Sequence, residues 1–78
     1  MTPEISNHDR FSFHVYPERG ERHHRPHCHV RRSDGSAETV VALASLEVII
    51  GPALSRKERR AVFEDRQKLL EAWGRQHD

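Results

Sequence analysis

Phe11-Ser12-Phe13-His14-Val15-Tyr16 alternates apolar and polar residues without a fault. Phe11, Phe13 and Val15 fall on one side of an extended chain, and Ser12, His14 and Tyr16 fall on the other. That is the period of a strand buried on one face only. Pro17 closes the segment. The same period returns in His27-Cys28-His29-Val30-Arg31-Arg32, with Cys28 and Val30 towards a core and His27, His29 and Arg31 away from it. Two such segments commit the chain to a sheet with one dry face. Residues 17–26 between them carry no buried pattern and read as a charged loop.

The remaining elements follow from turn and capping chemistry. Asp34-Gly35, within Ser33–Ser36, marks a tight hairpin. Ala37–Ala42 then reads as a third strand. Its adjacent Val40 and Val41 leave two inward faces open, Val40 with Ala42, or Val41 with Leu43 and Thr39. Leu46–Ile50 reads as a short fourth strand that Gly51-Pro52 stops. Residues 1–10 are an N-terminal arm or a short edge strand pinned by Ile5. Ser55 followed by Glu58 is a capping box that satisfies backbone N–H groups at a helix start. Val62, Phe63, Leu69, Leu70 and Trp73 then supply one apolar stripe, with Gly74 as the stop. The expectation is a single α+β domain over residues 1–78, with the sheet in 11–50 and the helix in 55–74. It has a three- to four-stranded antiparallel sheet with one C-terminal helix packed on one face.

Composition narrows the function classes. A chain of 78 residues with 35% hydrophobic positions has a thin core. Cys28 is the single cysteine, so neither an internal disulfide framework nor a four-cysteine zinc site can form. By alternation it is a small core residue and not a nucleophile, because its neighbours His27 and His29 point to the opposite face. No apolar run reaches the roughly 18 residues that span a bilayer. Met1-Thr2-Pro3-Glu4 lacks the basic-then-apolar pattern of a signal peptide, so a cytoplasmic location is expected.

Histidine is the compositional anomaly. Of seven histidines, His23, His24, His27 and His29 fall in a single short stretch. His27 and His29 share a strand face, and His14 lies on the outward face of the strand before it. His23 and His24 belong to the loop that joins them. Imidazoles on neighbouring strands are the ingredients of a divalent transition-metal site such as zinc, with His14, His23, His24, His27 and His29 as candidate ligands. A second chemistry for the same residues is RNA cleavage, with His14, His27 or His29 in acid–base roles and Arg31 stabilising the phosphorane. The plain alternative is a solvated polar strand face.

The helix start carries Arg56, Lys57, Arg59 and Arg60. Cations there oppose the helix dipole, so helix stability does not explain them. They suit a surface kept basic for an acidic partner or a phosphate. The net charge is only +1, which argues against sequence-independent wrapping of DNA or RNA. A sheet covered on one side by a helix also leaves a face open for another small protein or a second copy of the chain.

Arg25-Pro26-His27-Cys28-His29-Val30 resembles the P-P-H-x-H-V signature of a family of small bacterial proteins, domain-of-unknown-function family 4160. The aromatic first strand, Glu38-Thr39-Val40-Val41, Leu46-Glu47-Val48 and the ending Leu69-Leu70-Glu71-Ala72-Trp73 are similar too. The likeness runs over roughly residues 11–77. The chain departs from the pattern at Arg25, where the family has its first proline, and at Cys28, where it has an aromatic or aliphatic residue. The resemblance implies a bacterial or phage origin and a companion small protein encoded alongside, as in toxin–antitoxin or regulatory pairs. It implies no established enzymatic activity. It singles out His27 and His29 as functional residues and Pro26 as a structural one.

Overall fold

The computed structural model describes residues 4–17 and 25–76. Five strands form one antiparallel meander in chain order: β1 (Glu4–Asn7), β2 (Phe11–His14), β3 (His27–Arg32), β4 (Thr39–Ala42) and β5 (Val48–Ile50). Two helices follow, α1 (Arg56–Glu64) and α2 (Arg66–Gln76). The expectation of three or four strands and one helix is thus corrected on both counts. The fifth strand arises because Glu4–Asn7 pairs with β2 through a tight turn, in which His8 N–H donates to the Phe11 carbonyl at 2.8 Å and Asp9 adopts φ 74°.

One face of the sheet holds the core. Phe11, Phe13, Cys28, Val30, Thr39 and Val41 are buried there, with Val15 and Leu43 just beyond the strand ends. The register sets Phe13 opposite Val30, Val30 opposite Thr39, and Cys28 opposite Val41. Between the two inward faces left open for β4, the structure selects Thr39, Val41 and Leu43. Val40 faces outward, opposite His29. Val62, Leu69, Ala72 and Trp73 close the core from the helices.

The helix break at Asp65 has a tertiary cause. No glycine or proline stands there, and the apolar spacing continues across it. The Asp65 N–H bonds back to the Ala61 and Phe63 carbonyls and ends α1. The His8 Nε2–H donates to Asp65 Oδ2 at 2.7 Å, and Arg66 Nε donates to the Leu43 carbonyl at 2.8 Å. The junction is thereby tied to the β1–β2 turn and to the end of β4. Phe63, placed in the apolar stripe by sequence, is instead 63% exposed. Ala61 and Val62 take the inward positions, and the next residue turns about 100° away from them. Gly74 does not end the helix, which runs on to Gln76, whose side-chain amide donates to the Val15 carbonyl at 2.9 Å.

The capping box forms as read. Ser55 Oγ accepts from Glu58 N–H, and Glu58 Oε1 accepts from Ser55 N–H at 2.9 Å. The same carboxylate takes a forked pair from Arg32 of β3, Nε to Oε2 at 2.8 Å and Nη2 to Oε1 at 3.1 Å, while Arg32 Nη1 donates to the Ala37 carbonyl. Both side chains are largely buried. The Arg32 guanidinium holds the Glu58 carboxyl below the ordinary glutamate range, and Glu58 in turn raises Arg32. A depressed carboxylate pKa gives stability that is present above the unfolded value and is lost as pH falls through the folded one. Glu58→Gln should therefore lower stability at pH 7 by about 2 kcal/mol. In urea titrations the gap to wild type should close as pH drops below about 4.

At the other end of the sheet, Gly51 adopts φ 97°, and a Cβ there would land on the Glu38 carbonyl oxygen and 3.0 Å from Thr39 Cα. Thr39 Oγ1 donates to the Pro52 carbonyl at 2.8 Å and pins the same crossing. Gly51→Ala combines a backbone clash with a strained φ, so thermal denaturation should show a loss of about 2 kcal/mol or more.

Candidate functional site

Both helices pack on one face of the meander, so the opposite face supplies the candidate site. Its residues are set by register. Glu4, His14, His29, Val40 and Ile50 stand opposite one another in a single row across all five strands. Asn7, Ser12 and Arg31 form the next row. The row ends on apolar surface, with Ile50 64% exposed and Ile49 42% exposed. Both edge strands carry a one-residue irregularity, at Ile5 in β1 and at Ile49 in β5. Such bulges discourage pairing along the sheet edge.

His14 is the most enclosed polar group on this face, at 5% exposure. Its Nε2 is hydrogen-bonded with the Ser12 hydroxyl at 2.8 Å, and its Nδ1 is buried with no partner. Its ring stacks on Tyr16 at 6.0 Å, and the edge of Tyr16 meets His29 at 4.8 Å. Burial lowers the His14 pKa, with help from the Arg31 charge, while Glu4 and Glu38 pull the other way and His29 adds to the lowering. His14 therefore stays neutral at pH 7. His29 Nδ1 lies 3.4 Å from Glu38 Oε1, and Arg31 Nε lies 3.5 Å from Glu38 Oε2. His27 Nδ1–H donates to the Arg25 carbonyl at 2.8 Å, and its ring sits 5.5 Å from His29 and 4.8 Å from Trp73 of α2.

His14, His27 and His29 thus share one aromatic cluster with Tyr16, but the cluster is not a metal centre. Among the described residues no group of three or more His, Cys, Asp or Glu side chains could hold a metal ion. The zinc cofactor expected from the sequence is corrected on that finding. Nitrogens of all three rings are turned to other work, on Ser12, on the Arg25 carbonyl and beside Glu38. His23 and His24 lie outside the described residues. The metal-binding or RNA-cleaving alternative likewise finds no supporting cluster among the described residues, and Arg31 stands mostly exposed beside Glu38.

The other sequence candidates take structural positions. Pro26 presents its carbonyl to Leu43 N–H at 2.9 Å and anchors the start of β3. Cys28 is fully buried, and burial pushes its thiol up to about 12, which leaves it unreactive in the folded chain. Val62, Leu69 and Trp73 are core residues, and Leu70 packs partly against them. Arg56, Lys57, Arg59 and Arg60 are exposed on α1, and none of their side chains has an ion pair or hydrogen bond among the described residues. Sequence reasoning passed over His8 and Tyr16 as individual actors. His8 stacks on Phe11 at 5.2 Å and holds Asp65, while Tyr16 joins His14 to His29. Only the outward position of Tyr16 in its alternating strand hinted at such a role.

The description Domain of unknown function (DUF4160) matches residues 10–74 of the chain. No curated protein and no solved structure shows a significant match. No helix among the described residues is long and apolar enough to cross a membrane.

The lowered pKa of His14 has a measurable consequence. A buried histidine kept neutral binds fewer protons than it does unfolded, so its contribution to stability falls as pH drops below the unfolded value of about 6.5. Urea denaturation between pH 7.5 and 5.5 should show wild type losing stability on acidification, and His14→Phe should lose less across the same interval.

Proposed function

The chain belongs to the family Domain of unknown function (DUF4160), and from that premise we propose that it is a protein-interaction or regulatory module, one partner in a pair of the toxin–antitoxin type. One observation carries the reading. The face of the sheet away from the helices runs from a histidine–tyrosine cluster to exposed isoleucines in a single row, and neither helix covers it. Apolar area of this kind, rimmed by polar groups, marks a protein contact on small domains. His29 and Tyr16 supply flat, amphipathic contact surface at the middle of the row, Val40 and Ile50 supply its apolar end, and Arg31 with Glu38 forms the polar rim. His14 backs the cluster from beneath, where its burial keeps it neutral. The bulged edges support face-to-face docking over strand addition.

The partner is another small protein, of the kind the family resemblance implies is encoded beside this one, and self-association is the second form the same surface allows. Light scattering coupled to size exclusion, on the chain alone and co-expressed with the small protein encoded beside it, tests both. A stable hetero-complex or homodimer is expected, and Ile50→Glu or His29→Glu should shift it towards monomer by tenfold or more, about 1.4 kcal/mol or above. A chain that stays monomeric in both settings at concentrations on the order of 100 µM would overturn the proposal.

A further inference from the structure

Helix α1 presents a second surface that points away from the sheet. Glu58, Ala61 and Val62 are its buried side. At about 100° per residue, Arg56, Arg59, Arg60 and Phe63 fall on the opposite side, at the i, i+3, i+4 and i+7 positions of one stripe. Phe63 is the most exposed aromatic ring among the described core-type residues, at 63%. The side chains of the three arginines meet no internal acid or acceptor among the described residues. Their charge also opposes the positive end of the helix dipole. Nothing in the folding of the chain rewards this arrangement, since the cap is already complete through Ser55 and Glu58.

We propose that the outer face of α1 is a docking site for an acidic segment of a partner protein that carries a large apolar side chain, with the arginines pairing its carboxylates and Phe63 meeting its apolar residue. The stripe is about 10 Å long, so it matches two turns of a partner helix. Charge decides against the alternatives. The chain is +1 overall, and removing the four cations Arg56, Lys57, Arg59 and Arg60 leaves the rest at −3. A long polyanion such as RNA is attracted over two turns and repelled beyond them, whereas a short acidic segment is not. A second copy of the chain offers fewer open carboxylates than a dedicated acidic segment does. Of its described acids, Glu58 is held by Arg32, Asp65 by His8, Glu47 by Arg25 and Glu38 by His29 and Arg31, which leaves others, Asp9 and Glu64 among them, exposed without an ion pair. The site is separate from the sheet face and does not depend on it.

Fluorescence anisotropy with a labelled helical peptide of about 16 residues, made of glutamate, alanine and leucine with the leucines on one face, tests the proposal. Binding with a dissociation constant on the order of 10 µM at low salt is expected. The triple variant Arg56→Glu/Arg59→Glu/Arg60→Glu should weaken it by about tenfold or more, and Phe63→Ala by about fivefold. Both variants should melt at or above the wild-type temperature, because the changed side chains face solvent and glutamate suits a helix start. Ile50→Glu on the sheet should leave peptide binding unchanged. No binding tighter than about 1 mM, binding indifferent to the triple variant, or tighter binding of a labelled oligothymidine than of the peptide would each overturn the proposal.

Discussion

A five-stranded antiparallel meander offers two faces to water, and this chain carries helices for only one of them. Every other feature follows from that asymmetry. The side towards α1 and α2 collects Phe11, Phe13, Cys28, Val30, Val41, Val62, Leu69 and Trp73. The side away from them has to be soluble enough to stand in water and is built from His14, Tyr16, His29, Arg31 and Glu38 before it ends in Val40 and Ile50. A domain of this size buries too small a fraction of its surface to hide every apolar group. The residual apolar area at Ile50 therefore falls on the face that neither helix covers.

Thin cores need polar ties, and here each helix has its own. Arg32 reaches from β3 to the carboxylate that already caps α1, so one glutamate closes the helix start and fastens it to the sheet. His8 and Arg66 fix the junction between the helices, and Gln76 fixes the end of α2 to the chain just beyond β2. The contacts made by Arg32 and Arg66 are charge-assisted, the stronger kind of hydrogen bond, and that of Gln76 is a neutral amide bond to a backbone carbonyl. They orient the helices where apolar packing alone is permissive, and they leave the outer side of α1 free to carry charge.

Much of this was legible residue by residue. The alternation through Phe11–Tyr16 and His27–Arg32 showed which side chains enter the core, and Ser55 with Glu58 showed where the helix begins. The valine pair in β4 was not decidable, since both registers offer an apolar residue to the core, and pairing with Cys28 and Val30 was needed to choose Val41. Phe63 was misplaced because hydrophobicity was read as burial at a position beside Val62, where the helix has already turned outward. The zinc expectation failed for a related reason. Spacing on strands brings histidines near one another, but whether their nitrogens converge depends on what else each ring touches, and Ser12, Tyr16, Glu38 and the Arg25 carbonyl are those neighbours.

The sequence by itself determined the periodicities, the caps and the turn at Asp34-Gly35, because these rest on interactions between residues a few positions apart. It also determined the family, through a short motif and the helix ending that accompanies it. Only the tertiary structure decided that Glu4–Asn7 becomes a fifth strand, that the helix breaks at Asp65 and that His14 lies buried with one nitrogen unpaired. The helix break depends on partners tens of residues away, His8 with Asp65 and Arg66 with the Leu43 carbonyl, and the setting of His14 depends on its pairing with His29 of the next strand. Local sequence carries no record of such a meeting until the chain has folded and brought the two together.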